Sequence, residues 1–234
     1  MRALASREAV RVWERGLRQD ATGRALTLLE AAMPGRTREE LARYSIGRRD
    51  RCLLELRQRT FPGELNAYAE CPRCAAPLEY TLAADDLRAA DTAPDSTRME
   101  ADGRVLELRP IDSADLACAA QAGSVEEARR ALARRCVTGA ATDEFPEPLL
   151  AEIARRLAAA DPGADVLIDL ACPACAESWQ AVFDIASYLW TEVQALAKRL
   201  MGEVHVLARA YGWRERDILA MSAARRQFYI EMVS

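Results

Sequence analysis

Two Cys-Pro-x-Cys turns carry the chemistry of this 234-residue chain: Cys71-Pro72-Arg73-Cys74 and Cys172-Pro173-Ala174-Cys175. Their first cysteines lie 101 residues apart. One Cys-x-x-Cys turn spans two corners of a tetrahedron, so two such turns supply the four thiolates of a structural zinc site. Proline in second position fixes φ and suits a tight turn whose backbone amides face sulfur. Glycine often follows the second cysteine of such a knuckle because it tolerates left-handed φ; here Ala75 and Ala176 stand there. Two other chemistries use the same residues. A redox dithiol uses one such motif at a helix N-terminus. A thiol cluster or disulfide would hold no metal. The pairing of the motifs and their strand-like flanks favour the first reading, with about one zinc per chain on Cys71, Cys74, Cys172 and Cys175.

No second chemistry is legible. His205 is the only histidine and sits between Val204 and Val206, which reads as a packing or hydrogen-bonding residue. No Ser-His-Asp or Cys-His set can be built around it, and no Gly-rich phosphate loop or dinucleotide fingerprint occurs. Asp85, Asp86 and Asp95 fall in a polar stretch and read as solvated. Cys118 and Cys136, amid Ala and Leu, read as small buried apolar residues. The expectation is a protein without catalytic residues or a small-molecule substrate.

The elements that must position the cysteines follow from periodicity. Short strand-like runs flank each knuckle, at 65–70 and 78–82 for the first and at 165–170 and 179–184 for the second. This repeated hairpin is the only internal repeat. Joining its copies would fasten the middle of the chain to its C-terminal part. Helical patterns precede them: a helix capped by Ser6, one over 21–33, one opened by the Thr37…Glu40 capping-box spacing, and one over 48–60 that turns Cys52, Leu53, Leu54 and Leu56 to a core. Between the knuckles, 90–102 reads as a loop and 105–109 as a strand. Helices capped by Asp112 or Ser113 and by Ser124 follow, then a loop over 138–147 and a helix over 148–159. The longest helix runs over 185–211 and carries Ile185, Leu189, Val193, Leu196, Leu200, Val204, Leu207 and Tyr211 at i, i+3/i+4 spacing, with Tyr188, Ala197, Met201 and Ala208 as a second flank. Gly212 ends it. A short turn or helix and a final helix capped by Ser222 close the chain.

Composition bounds the rest. Half the residues are hydrophobic and 29% are charged, an ordinary soluble balance. No run of about 18 apolar residues occurs, so no spanning helix is expected. The start of the chain lacks an apolar signal core, and seven cysteines without one argue for reduced thiols. Residues 1–60 hold 14 arginines against eight acids, a net +6, which leaves −10 for the remainder of a chain totalling −4. A basic third could face nucleic acid. These arginines are interleaved with acids and lack stacking aromatics, which favours solvated or partner-facing helix surfaces.

Several segments resemble a known family. They are 46–57 (Ile-Gly-Arg-Arg-Asp-Arg-Cys-Leu-Leu-Glu-Leu-Arg), the two knuckle hairpins, 108–116 (Leu-Arg-Pro-Ile-Asp-Ser-Ala-Asp-Leu), and the ending at 203–213 with its Tyr211-Gly212-Trp213. That ending continues through 216–222 and 225–229. The pattern is similar to baseplate proteins of T-even-like contractile phages and of phage-derived contractile injection systems in bacteria. It covers most of 45–234 and none of 1–44. The Tyr-Gly-Trp ending also resembles small tail-assembly chaperones. The resemblance implies a non-enzymatic baseplate or hub component, or an assembly factor. It also implies partners among baseplate, hub or tube proteins, and a place in the bacterial cytoplasm during assembly or in the finished particle.

The expected fold is α+β: mainly helical, with the two hairpins forming a zinc-ribbon-like module and a long C-terminal helix followed by a short helix-turn-helix. Three regions are expected, an N-terminal helical region (1–64), the paired hairpins with an intervening strand and helices (65–184), and the C-terminal helices (185–234), together one unit. Trp213, Phe228, Tyr229 and Met232 form the candidate docking surface. The competing class is a zinc-ribbon protein that binds nucleic acid or regulates.

Overall fold

Amphipathic stripes bounded by capping residues dictate most of the architecture. The computed structural model describes residues 1–87, 96–101, 104–138 and 145–233. Four helices open the chain: α1 (Ser6–Gly16), α2 (Ala21–Ala32), α3 (Arg38–Ala42) and α4 (Ile46–Thr60). The hairpin β1 (Leu65–Glu70) and β2 (Pro77–Leu82) follows, then β3 (Thr97–Ala101) and β4 (Arg104–Leu108). Next come α5 (Ser113–Ala119), α6 (Val125–Cys136), the two-residue β5 (Val137–Thr138) and α7 (Glu147–Ala160). The second hairpin, β6 (Leu167–Ala171) and β7 (Ser178–Val182), runs into α8 (Ile185–Tyr211), α9 (Glu215–Ala220) and α10 (Ala223–Glu231). The protein is thus mixed helix and strand, with small antiparallel sheets.

The caps are local chemistry. Thr37 and Glu40 close a reciprocal capping box on α3, and Asp112 with Asp115 does the same on α5. Asp184 accepts from the amides of Ala186 and Ser187 at the start of α8. At its other end Gly212 takes the left-handed conformation, φ 66°. Ser6 is the first helical residue of α1, and Ala5 holds the cap position. The Glu8 carboxylate accepts from the Ala5 amide at 3.1 Å, the half of a capping box that the N3 residue supplies, while Ala5 itself offers no side-chain acceptor to the first turn.

The largest core lies where α8 packs on α1, α2 and α4. Leu28, Leu29, Leu53, Leu56, Leu189 and Val193 are fully buried there. Gly16 permits the contact of α1 with α8, because a Cβ at that position would fall 2.2 Å from the Trp190 ring. The far half of α8 packs through Ala197 and Leu200 on α1 and α9.

A second core gathers Met99, Leu106, Leu108, Cys136, Leu150 and Ile153 between the β3–β4–β5 sheet and α6 and α7. It joins the first at the start of α4. The Ile46 amide donates to the Ile111 carbonyl, and the Gly47 amide to the Asp161 carboxylate at 2.9 Å.

Further expectations change. The loop read over 90–102 is a strand across Thr97–Ala101, paired with β4. Met99 is its one large apolar residue, and cross-strand pairing, invisible to local periodicity, makes it a strand. The Asp102-Gly103 dipeptide was the available hairpin signal. Residues 88–95, with Asp95, and 139–144 of the second expected loop lie outside the described residues. Cys136 is buried as expected, whereas Cys118 is exposed, because short α5 buries Ser113 and Asp115. His205 and Met201 also face solvent on α8. No helix among the described residues is long and apolar enough to cross a membrane.

Candidate metal centre

Each hairpin is built to present its turn. β1 and β2 pair in register from Leu65↔Leu82 to Glu70↔Pro77, and β6 and β7 from Leu167↔Val182 to Ala171↔Ser178. The two turns then repeat one set of bonds. The Cys71 amide donates to the Ala76 carbonyl at 3.0 Å, and the Ala75 amide to the Cys71 carbonyl at 2.9 Å. Cys172 to Glu177 and Ala176 to Cys172 match them at 2.8 and 3.0 Å. Ala75 and Ala176 both sit at φ 57°, the only positive-φ non-glycine residues among those described. The knuckle needs that conformation to aim both sulfurs inward, and alanine adopts it at a cost of about 1–2 kcal/mol.

The two turns meet. The Sγ atoms of Cys71 and Cys175 are 3.7 Å apart and those of Cys74 and Cys172 are 3.6 Å apart. All four sulfurs lie within 4.8 Å of one another. A metal bound tetrahedrally at about 2.3 Å to each sulfur would require edges of about 3.8 Å. Two edges match that value and all four sulfurs are close enough to hold a metal ion. Cys71 and Cys172 are buried, Cys175 is half-buried and Cys74 is exposed. Four protein ligands leave no open coordination position, which is the pattern of a structural site.

Charge is already poised in the cluster. Burial opposes ionisation of Cys172, but donation from the Cys175 and Ala174 amides and from the Cys71 and Cys74 thiols brings it down to about 7. At Cys175 the Glu177 amide favours the thiolate, yet burial and its role as donor to the other sulfurs push it up to about 12. The neighbouring donors thus favour the Cys172 thiolate, and a bound cation would displace thiol protons.

The bases of the hairpins are held by α4 and α8. Arg57, nearly fully buried, donates to the Gly63 and Glu64 carbonyls and to the Glu192 carboxylate at 2.9 Å. The Tyr188 hydroxyl donates to the Asn66 carbonyl at 3.1 Å. On the other hairpin the Phe183 amide donates to the Val166 carbonyl just before α8 begins. Sequence reading missed Arg57 and Glu192 as positioning residues. Their separation of 135 residues leaves no local signal. Near the knuckles themselves, Arg73 and Glu177 form an exposed cross-hairpin ion pair at 3.4 Å.

A second polar cluster is structural. Fully buried Asp115 accepts from Arg109 at 2.6 and 2.8 Å and from Arg135 at 2.6 Å. Burial would raise its pKa, but these partners and the Asp112 amide hold it at about 2. Burial and that carboxylate push neighbouring Cys136 up to about 12, so it offers no nucleophile.

The candidate docking residues separate into two groups. The Trp213 ring stacks on Tyr211 with centroids 4.4 Å apart, and Tyr229 meets both edge-on. Phe228 on α10 and Met232 at its C-cap remain 60% and 64% exposed. Buried Arg226, bonded to Glu203 at 2.6 Å, fixes that helix to α8. No protein-family model, curated protein or solved structure matches the chain.

Proposed function

We propose that this protein is a non-enzymatic structural or assembly component of a phage-tail-like contractile baseplate, with its hairpins joined by one structural zinc ion. The observation that carries the reading is the closed four-sulfur cluster assembled from two knuckles 101 residues apart. A tetrahedral all-thiolate set suits zinc or an iron–sulfur centre, and the single-ion spacing of these sulfurs favours zinc. Zinc held there would supply binding energy coupled to folding, and no substrate chemistry. The baseplate assignment is supported by the resemblance of 46–57, 108–116, 203–213, 216–222 and 225–229, which here form α4, the β4–α5 junction and the α8–α10 ending. Exposed Phe228 and Met232 would give hub, tube or other baseplate proteins an apolar contact.

The nucleic-acid alternative rests on the basic N-terminal third. Many of its arginines are engaged in ion pairs: Arg15 and Arg38 with Glu30, Arg49 with Asp50, Arg57 with Glu192 and Arg59 with Glu55. A salt-sensitive mobility shift with DNA or RNA would reverse that ordering.

Elemental analysis of protein purified without chelator is expected to find about one zinc per chain and no iron. Absence of metal, with all four knuckle thiols freely reactive in the folded protein, would overturn the zinc centre. Co-purification from the native host is expected to recover sheath, tube or baseplate proteins, and their absence would overturn the baseplate assignment.

A further inference from the structure

We infer that the cysteine centre is also a peroxide-sensitive redox site, in which oxidation exchanges the metal for two cross-hairpin disulfides, Cys74–Cys172 and Cys71–Cys175. The inference deepens the zinc reading given above and rests on it.

The sulfur geometry brings these pairs within reach. Two close contacts run between hairpins, at 3.6 and 3.7 Å. Each pair must close by only about 1.6 Å to reach a disulfide bond. Each also couples an accessible sulfur to a buried one: exposed Cys74 to buried Cys172, and half-buried Cys175 to buried Cys71. That is the arrangement of an attacked thiol beside a resolving thiol. Cys74, the most accessible ligand, is where an oxidant arrives first.

Hydrogen peroxide, a two-electron oxidant, balances the step. The Cys74 thiolate attacks one peroxide oxygen, the O–O bond breaks, and Cys74 becomes a sulfenic acid as hydroxide leaves. The Cys172 thiolate then attacks the sulfenic sulfur, forming the S–S bond and expelling a second hydroxide. Two protons convert the hydroxides to water. Repetition at Cys175 and Cys71 consumes a second peroxide. Four thiolates lose four electrons, two peroxides and four protons become four waters, and the zinc ion leaves as the dication.

The consequence for the fold follows from the connectivity. Apart from the sulfurs, the knuckles are tied to one another by the exposed Arg73–Glu177 pair. Cross-hairpin disulfides would keep the hairpins joined after the metal leaves. Disulfides within each knuckle would set them free.

The test uses full-length Cys118→Ser protein, which removes the exposed thiol outside the centre. The zinc-loaded protein is titrated with hydrogen peroxide. Released zinc is read with a chromogenic chelator, and disulfides are mapped by mass spectrometry after alkylation without reduction. The expected result is about one zinc lost per two peroxides consumed, with 74–172 and 71–175 linkages, reversed by dithiothreitol and added zinc. Linkages 71–74 and 172–175, or zinc retained in tenfold peroxide excess, would overturn the inference. Oxidation of the reduced, metal-free protein reads the same pairing, so a failure of zinc itself stays distinguishable from a failure of the redox site. In the Cys74→Ser variant a single 71–175 linkage is expected, and any other overturns the pairing.

Discussion

At the scale of the residue, the two knuckle alanines hold strain that the sequence could have avoided. Ala75 and Ala176 sit at φ 57°, where a Cβ crowds the following carbonyl. Ala75→Gly and Ala176→Gly are therefore expected to stabilise the protein by about 0.5–1 kcal/mol each, since glycine relieves that crowding at some cost in unfolded-state entropy. Denaturant titrations of both variants check this, and a loss of stability in both would show that the conformation is unstrained. Asp115 makes a different residue-scale case. Its carboxyl titrates at about 2 in the fold against an ordinary 3.8, so the folded state favours the ionised form. Its contribution, roughly 2 kcal/mol, is full above about pH 4 and drains as the pH falls towards 2. Asp115→Asn should lower stability at pH 7 by a similar amount and flatten the stability curve between pH 4 and 2. An unchanged acid limb would assign the acid sensitivity elsewhere.

Among the elements, α10 is the one to which the proposed function gives a role outside the chain. Nine residues are too few for a helix that persists alone in water. It persists here because Arg226 reaches Glu203 and Tyr229 packs edge-on against Tyr211 and Trp213. Those contacts use one side of the helix and leave Phe228 and Met232 outward. Deleting 222–234 is expected to leave the metal-binding body folded, with circular dichroism close to the parent, and to abolish co-purification with baseplate partners. A truncated chain that still assembles would show that α10 does not dock. If the deletion fails to fold, Phe228→Glu with Met232→Glu tests the same face, because both side chains are already in water and surface changes of this kind move stability by only about 0.5 kcal/mol.

For the whole molecule, the centre links two hairpins whose bases are anchored on α4 and α8 and whose tips are joined mainly through sulfur. On the proposed zinc centre, Cys71→Ser should therefore lower the melting temperature far more than Cys118→Ser, since it would remove a ligand whose binding energy is coupled to folding. Exposed Cys118 should change stability by no more than about 0.5 kcal/mol. Equal losses in thermal melts would argue against a metal link. How much of this was legible beforehand depends on the range of the interaction concerned. Local chemistry settled what local chemistry controls. The apolar stripe and its Asp184 and Gly212 ends set α8, the Thr37…Glu40 spacing set α3, and Cys-Pro-x-Cys with strand flanks set both hairpins. The clustering of the four knuckle cysteines followed as well, because a half-site at each turn implies its complement. β3 was misread because a strand with one buried side chain exists through its partner. Cys118 was misplaced because a seven-residue helix shows too few turns to reveal which face is covered. Arg57 with Glu192, Asp115 with its two arginines, and the pairing of exposed with buried sulfurs were decided only in three dimensions. The sequence alone determined which residues could bond, since donor type, spacing and φ preference are properties of short segments. The tertiary structure decided which of them do, since burial and long-range contact arise only when distant segments close on one another.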